Sequence, residues 1–250
     1  MRLPTFRLPR IAPVRDARPK LRGPARSPRA NSGGDVTIEL AGRVAPDGRA
    51  VGTDIDEIKL EMARAEAINN RVMNVEFQLA DAAGDSFDRE FDAVYVRFLL
   101  THLPEPEETL RAIWKSVRTG GVLIVEDIDF SGSFCYPPNP AYERYCELYT
   151  RSALKRGVDP NIGPRLPGML AAAGCERVDM NVVQPAGIDG EAKVVTPLTM
   201  ENIVDSVLAE GLSDEAELDR LIDELYAFAR QPGSVLSIPR VVQAWGYRPA

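Results

Sequence analysis

A chain of 250 residues is long enough for one large α/β domain with insertions, or for a domain with a small cap. Its 44% hydrophobic and 27% charged residues, without any run of about 18 apolar residues, predict a soluble protein with no membrane partner. Three cysteines without metal-type spacing fit reduced thiols in a cytoplasm, and the single histidine excludes a histidine-rich metal site, so no metal is expected.

The first 31 residues differ from the rest in charge and proline content. They hold six prolines and nine Lys or Arg against one Asp, which leaves 21 basic and 36 acidic residues for the remainder. A segment of this composition buries too little apolar surface to offset its ordering entropy, so residues 1–31 are expected to be largely disordered. We weigh a basic tail for an anionic partner, an Arg-rich targeting peptide, and a stretch foreign to the domain, and favour the third. The acidic remainder argues against a nucleic-acid partner.

From residue 36 onward, helical and strand-like patterns alternate, and this alternation predicts a doubly wound parallel sheet. Strands are predicted at 50–53, 75–79, 91–96, 122–130, 178–183 and 241–247. Helices are predicted at 36–44, 57–68, 104–117, 165–173, 199–210 and 214–230. The core is expected at 32–184 and 241–250, with helical insertions at 130–163 and 185–240 that form a lid.

Local signals give the expected helix ends and faces. Asp56 is expected to cap the second helix, in which Ile58, Met62, Ala65 and Ile68 are spaced for one face. A glycine stop at 119–121 is expected to end the third helix, and Thr199 and Ser213 are expected to cap the last two.

Two of the predicted strands end in a carboxylate, the first in Asp54 and the next in Asp81. Ligands of open parallel sheets sit outside the carboxyl ends of the strands, where acidic groups can accept hydrogen bonds from ribose hydroxyls or an adenine amino group. Two alternatives stay open: Asp54 as a turn or capping residue beside Asp56, and Asp81 as a plain loop carboxylate.

The succession GGDVTIELAGRVAPDGRAVGTDID, FQLADA and FDAVYVRFLLTHLPEPEETLRAIWKSVRTGGVLIVEDIDF carries a family likeness. It resembles the class I S-adenosylmethionine-dependent methyltransferases of the small-molecule type, over residues 33–184 and again at the last strand. The resemblance implies a Rossmann-like, mainly parallel seven-stranded sheet with an antiparallel last strand. It also implies S-adenosylmethionine as cofactor and methyl transfer to an oxygen, nitrogen or carbon nucleophile of a small-molecule acceptor.

The resemblance also assigns cofactor-binding residues. Asp54 matches the residue that binds both ribose hydroxyls, and Ile55 the residue that packs on the adenine. Asp81 and Ala82 match the pair at the adenine edge, and Arg97 matches a position that commonly faces the methionine part.

The chain departs from the family at its front end. The family expects a hydrophobic first strand followed by a D-x-G-x-G-x-G turn, whereas this chain offers ARSPRANSGGD, in which only Gly33 and Gly34 survive of the glycine turn. A proline- and arginine-rich segment is not expected to form a central strand. Either the native front end is missing, for example through a shifted reading frame, which we favour, or the sheet closes differently and cofactor affinity is reduced. The second case leads to the alternative function, a non-catalytic methyltransferase-like protein for binding or dimerisation, and a homodimer is left open.

Residues after the fourth and fifth strands are candidates for the acceptor side. His102 is either a catalytic base or a side chain that stabilises the loop before the next helix. Asp127 and Asp129 either hold an amine or a cation, or cap a helix and face solvent. Phe130 and Tyr136 belong to an aromatic-rich stretch that packs in the core or lines an acceptor pocket.

Overall fold

The computed structural model describes residues 10–15, 34–84 and 91–250, with side chains described from residue 34 onward. The strands and α-helices of these residues follow in chain order: β1 (Arg10–Arg15), α1 (Asp35–Val44), β2 (Arg49–Asp54), α2 (Glu57–Asn69), β3 (Val75–Leu79), β4 (Phe91–Arg97), α3 (Pro106–Trp114), β5 (Val117–Asp129), β6 (Cys135–Tyr136), α4 (Pro140–Lys155), α5 (Leu166–Ala172), β7 (Glu176–Val183), β8 (Ala186–Gly187), α6 (Glu191–Ala209), α7 (Glu215–Arg230), β9 (Val235–Ser237) and β10 (Arg240–Tyr247). The chain divides into a first unit, residues 1–127, 165–180 and 243–250, and a second unit, residues 128–164 and 181–242.

A seven-stranded sheet has the order β3-β2-β1-β4-β5-β10-β7. The pairs of β2 with β3 and of β4 with β5 are parallel. Between β5 and β10, Gly120 N donates to Arg248 O at 3.0 Å and Arg248 N donates to Gly121 O at 2.8 Å, an exchange typical of antiparallel strands. This mainly parallel sheet with a reversed last strand confirms the predicted fold class.

The first strand of the sheet is a correction to the sequence analysis. Residues 10–15 form β1 and pair in parallel with both β2 and β4, so the expectation that residues 1–31 are largely disordered is wrong for these six residues. The stretch ARSPRANSGGD, for which a central strand was not expected, lies outside the described residues except for Gly34 and Asp35. Pro13, which is in register with Tyr95, removes one N–H donor, and a single lost ladder bond costs only about 1 kcal/mol. The rest of the predicted disordered segment, residues 1–9 and 16–31, lies outside the described residues.

Helix α2 buries a different face from the one that the larger apolar residues suggested. Asp56 caps the helix as predicted, since its Oδ1 accepts a hydrogen bond from Ile58 N at 3.0 Å. The side chains that are buried are Leu60, Ala63 and Ala67, whereas Ile58 is 70% exposed. Both stripes have helical spacing, and the stripe with two alanines allows the closer approach to the sheet.

The segment after α3 also differs from prediction. The helix ends at Trp114 rather than at residue 117, and β5 already begins at Val117, so the expected glycine stop at 119–121 lies inside a strand. Phe91 N donates to Ser116 O at 2.7 Å and draws the segment into the sheet, which local helical propensity does not reveal.

The second unit contains α4, α6, α7 and a small sheet with the order β6-β9-β8. One apolar core joins the three helices through buried residues such as Leu148, Met200 and Leu225. The two insertions predicted from the sequence lie largely within this unit, and their function as a lid stays a prediction.

Two helix starts in the second unit were misplaced. Helix α6 begins at Glu191 and continues through Pro197, so Thr199 is not its cap but donates from Oγ1 to Val195 O at 2.7 Å. Helix α7 is capped by Asp214, whose Oδ1 accepts from Glu217 N at 2.8 Å, rather than by Ser213. The two errors have different causes: α6 begins eight residues before Thr199, which therefore lies inside the helix, whereas at α7 the neighbouring Asp214 takes the capping role from Ser213.

Among the described residues, no helix combines the length and apolar character needed to cross a bilayer.

Candidate functional site

Asp54 is a buried carboxylate at the end of β2. Every residue of this strand after Arg49 is buried, and Asp54 itself is 5% exposed. Its Oδ1 accepts a hydrogen bond from Asp56 N at 3.0 Å, and Lys59 Nζ lies 3.9 Å from the same oxygen. The capping role belongs to Asp56, whereas Asp54 holds its carboxylate against the turn that leaves the strand. A buried acid that is ordered in this way is suited to accept hydrogen bonds from vicinal hydroxyls.

The end of β3 lies beside the end of β2. Asp54 is in register with Leu79, and Ala80 N donates to Asp54 O at 3.1 Å. The next two residues are Asp81, an exposed carboxylate whose Oδ1 accepts from Ala83 N at 2.8 Å, and the buried Ala82. The structure therefore brings the two predicted strand ends together.

Ile55 presents an apolar surface next to the buried acid. Its side chain is 49% exposed, although it directly follows Asp54. An exposed aliphatic side chain can pack on a flat ring of a ligand, while the neighbouring carboxylate accepts hydrogen bonds from hydroxyl groups of the same ligand.

Of the two glycines predicted to bind the cofactor, the structure describes only Gly34. Gly34 precedes α1, and a Cβ on it would lie 2.5 Å from the Cβ of Ala63 and 3.3 Å from Cζ of Phe77. Gly34 is therefore needed for close packing of the start of α1. Gly33 and the remainder of the degenerate glycine turn lie outside the described residues.

Arg97, the last residue of β4, takes part in a chain of polar contacts. Its Nε lies 3.4 Å from Oε2 of Glu126, and Oε1 of Glu126 accepts from Gln243 Nε2 at 2.5 Å. The Arg97 guanidinium carbon is also 4.7 Å from the ring centroid of Phe98. Phe98 has a φ of 49°, a left-handed conformation that is uncommon for a bulky residue and clusters at functional turns.

His102 lies in a short 3-10 turn, Leu100–His102, after β4. The turn is tied to β5, since Oδ2 of the fully buried Asp127 accepts from Thr101 N at 3.1 Å. The burial of Asp127 favours a role in holding the turn that carries His102 over direct contact with an acceptor.

The other predicted acceptor residues belong to the second unit. Asp129 is 4% exposed, its Oδ1 accepts from Ser131 Oγ at 2.6 Å, and its Oδ2 lies 3.4 Å from Arg240 Nη1. Phe130 is buried and stacks on Tyr149, with ring centroids 4.0 Å apart. Tyr136 is 63% exposed.

Sequence analysis missed two residues of the second unit that the structure makes prominent. Arg240, the first residue of β10, pairs with Asp129. The predicted last strand, residues 241–247, begins one residue after it. Lys193 is 4% exposed, and its Nζ donates to Gln231 O, Ser234 O and Ser234 Oγ. No local sequence signal marks Lys193, because its acceptors lie on a distant part of the chain.

Burial raises the pKa of hydroxyl and thiol groups in the second unit. Loss of hydration raises the pKa of the Tyr142 hydroxyl well above its usual range and the pKa of the Cys146 thiol to about 11. These groups are neutral at physiological pH, so they offer neither a phenolate nor a thiolate nucleophile.

Comparison with known proteins gives a family match. A family model described as a methyltransferase domain matches residues 32–160, just over half of the chain. The chain is 34% identical over 118 residues to the ubiquinone/menaquinone biosynthesis C-methyltransferase UbiE of Escherichia fergusonii, covering 46% of each protein. The enzyme of the same name from Enterobacter sp. is 33% identical over 118 residues, again covering 46% of each protein. The chain thus spans about half the length of the curated relatives it matches.

Solved structures share the fold at low sequence identity. A Bacillus halodurans protein assigned to the methyltransferases superposes with a TM-score of 0.58 at 18% identity, covering 98% of this chain and 94% of that one. The Haemonchus contortus phosphoethanolamine N-methyltransferase 2, in complex with phosphomonomethylethanolamine and S-adenosylhomocysteine, superposes with a TM-score of 0.53 at 12% identity, covering 96% of this chain and 49% of that one.

Proposed function

Because the chain belongs to the methyltransferase domain family, within the class I S-adenosylmethionine-dependent methyltransferases, we propose that it transfers a methyl group from S-adenosylmethionine to a small molecule. The accepting atom is an oxygen, a nitrogen or a carbon. A cytoplasmic location is part of the proposal, supported by three free cysteines.

The buried carboxylate of Asp54 carries this proposal. It ends β2 beside the end of β3, and the exposed Ile55 follows it directly. In open α/β sheets, nucleotide-type ligands bind outside the carboxyl ends of strands, where an acid accepts hydrogen bonds from ribose hydroxyls. These residues fit the adenosine part of S-adenosylmethionine: Asp54 would hold the ribose, Ile55 one face of the adenine, and Asp81 with Ala82 its edge.

Solved complexes of a structural neighbour support the choice of cofactor. The Haemonchus contortus enzyme has been crystallised with S-adenosylhomocysteine and with S-adenosylmethionine. When bound, this cofactor supplies an electrophilic methyl group on a sulfonium. The protein then needs chiefly to orient the acceptor and to exclude water, and a base is required only if the acceptor loses a proton.

His102 is the residue that we propose for that proton. The bond from Thr101 N to buried Asp127 fixes the turn in which His102 lies. An imidazole is the side chain that enzymes use most often as a general base. The names of the two relatives, both C-methyltransferases, favour testing carbon nucleophiles before oxygen and nitrogen.

Calorimetric titration of the full chain with S-adenosylmethionine tests the proposal. We expect saturable binding at one site per chain, and competition by S-adenosylhomocysteine. The degenerate glycine turn makes this a demanding test. Absence of binding at millimolar cofactor would contradict the enzymatic function and support the alternative of a non-catalytic protein for binding or dimerisation.

A further inference from the structure

We propose that the outward face of helix α2 is a dimer interface, and that its partner is α2 of a second copy of this chain. The interface concerns the apolar stripe formed by Ile58, Met62, Ala65 and Ile68, for which the sequence pattern had predicted one common face. The whole stripe lies in the first unit. Dimerisation through it does not depend on the methyltransferase function.

The apolar stripe carries large side chains into solvent. Ile58 is 70% exposed, Met62 is 53% exposed and Ile68 is 72% exposed. The packing of α2 within its own chain uses the opposite face, which buries Leu60, Ala63 and Ala67. Single exposed apolar residues are ordinary, but a row of them along one helix face marks a surface on which a partner binds.

The spacing of the stripe suits a second helix as the partner. Ile58, Met62 and Ala65 are separated by four and three residues, and Asn69 follows four residues later. This is the alternation of the a and d positions of a coiled coil, in which side chains of one helix insert between those of the other. Because Ala65 is small, it allows the two helices to approach closely.

The charges beside these positions fit an antiparallel partner. Lys59 and Glu66 lie on one side of the a and d positions, and Glu61 lies on the other side. With the two-fold axis between Met62 and Ala65, an antiparallel pair places Lys59 of each copy opposite Glu66 of the other copy. A parallel pair would instead place Glu61 of each copy opposite Glu66 of the other, and the like charges would repel.

Neither Lys59 nor Glu66 is held by a close ion pair within the described part of the chain. Lys59 Nζ lies 3.9 Å from Asp54 Oδ1, at the outer limit of an ion pair. Oε2 of Glu66 accepts no hydrogen bond from the described residues. Glu57 and Arg64 of the same helix differ, since Arg64 Nη1 lies 2.6 Å from Glu57 Oε1. The two charges that the antiparallel pair requires are therefore those that gain a partner from a second copy.

Sedimentation velocity of the full chain, without cofactor, tests the interface. Helix α2 has only 13 residues, so the contact is small, and we expect a monomer–dimer equilibrium with a dissociation constant of about 1–100 μM. Met62→Glu should raise this constant at least about tenfold, because it places a charge in the apolar contact of each copy. Leu154→Glu is the matched control: Leu154 is a 62% exposed apolar residue of helix α4 in the second unit, and we expect no change.

Charge reversal tests the antiparallel arrangement. Glu66→Lys should raise the dissociation constant by about threefold to tenfold, because it sets a second cation opposite Lys59. The double variant Glu66→Lys with Lys59→Glu restores an opposite-charge pair, and we expect it to recover the dissociation constant of the natural chain. A variant that merely perturbed the folding of α2 would not be rescued in this way.

A natural chain that stays monomeric up to about 500 μM would overturn the proposal, and so would a dimer that Met62→Glu leaves intact. Absence of rescue by the double variant would overturn the antiparallel pairing. Should Met62→Glu fail to fold, as judged by circular dichroism, Glu66→Lys and the double variant decide.

Discussion

A Cβ on residue 34 would lie 2.5 Å from the Cβ of Ala63, so Gly34 packs directly against Ala63 where the start of α1 meets helix α2. Real Cβ atoms do not approach each other so closely. The φ of Gly34 is 165°, an extended value that any residue adopts, and the requirement for glycine is therefore one of space. Glycines of nucleotide-binding turns in α/β folds include one that serves close packing, and Gly34 fits that role.

Gly34→Ala should destabilise the protein by about 1–3 kcal/mol, because the new methyl group overpacks the contact with Ala63. Urea denaturation followed by circular dichroism measures the change. Gly42→Ala is the matched control: it adds a methyl group to an exposed position of α1 with no atom within 4 Å, and it should stabilise by about 0.5–1 kcal/mol. Equal stability of the two variants would mean that the contact at Gly34 is not tight.

Asp54→Ala should weaken S-adenosylmethionine binding by about 10- to 100-fold, since hydrogen bonds to a charged group contribute about 1.5–3 kcal/mol. Calorimetry gives the affinity directly. Asp56→Ala serves as the control, because it removes the cap of α2, with a loss of about 1 kcal/mol of stability, while the donor to Asp54 is a backbone N–H that alanine keeps. If Asp54→Ala binds the cofactor as tightly as Asp56→Ala does, the ribose site has been misplaced.

Lys193→Met should destabilise the protein by about 2–3 kcal/mol. The substitution keeps the length of the side chain but leaves the acceptors Gln231 O, Ser234 O and Ser234 Oγ without the buried ammonium that donates to them. Lys155→Met is the comparison, since Lys155 donates to Glu210 O at an exposed position, and there we expect less than about 0.5 kcal/mol. Chemical denaturation of both variants, monitored by tryptophan fluorescence, distinguishes the two costs.

The thiols of the half-buried Cys146 and the buried Cys175 should resist alkylation. With a pKa of about 11, Cys146 is only about 0.1% ionised at pH 8, whereas an ordinary thiol with a pKa of about 8.5 is about a quarter ionised. Iodoacetamide should therefore modify Cys146 at least about 100-fold more slowly in the folded protein than in urea, as followed by peptide mass spectrometry. Cys175, whose pKa burial raises to about 12, should be slower still. Rapid labelling of both cysteines in the native state would contradict the raised pKa values of their thiols.

The same thiols give a pH dependence of stability with a defined sign. Folding raises the pKa of both thiols, to about 11 for Cys146 and about 12 for Cys175. Their contribution to the free energy of unfolding is therefore complete below the unfolded-state pKa of about 8.5, and it is lost as the pH rises toward the folded-state values. The urea concentration at the midpoint of denaturation should therefore decrease as the pH is raised from about 8.5 to about 10.5. Replacement of both Cys146 and Cys175 by alanine should reduce the slope.

Sequence patterns located the two strand ends that form the candidate cofactor site. The bounds of β3, residues 75–79, and the end of β2 at Asp54 agree with the prediction because both depend on short apolar runs bounded by polar residues. The cap of α2 by Asp56 is a contact between residues two apart, so local sequence is sufficient for it. The overall α/β class follows from the alternation of such elements, and the resemblance supplied its Rossmann-like topology.

Tertiary structure alone decided which of several locally acceptable arrangements is adopted. Helix α2 has two stripes of helical spacing, and contact with Gly34 selects the one that contains Ala63. Strand β1 forms despite its proline because neighbours on both sides supply the remaining ladder bonds. The charge of Asp129 is paired by Arg240, which is far away in sequence and becomes a neighbour only when β10 lies beside β5. Sequence determined the local contacts that a few consecutive residues make, whereas pairing between distant segments determined burial, strand neighbours and the partner of Asp129.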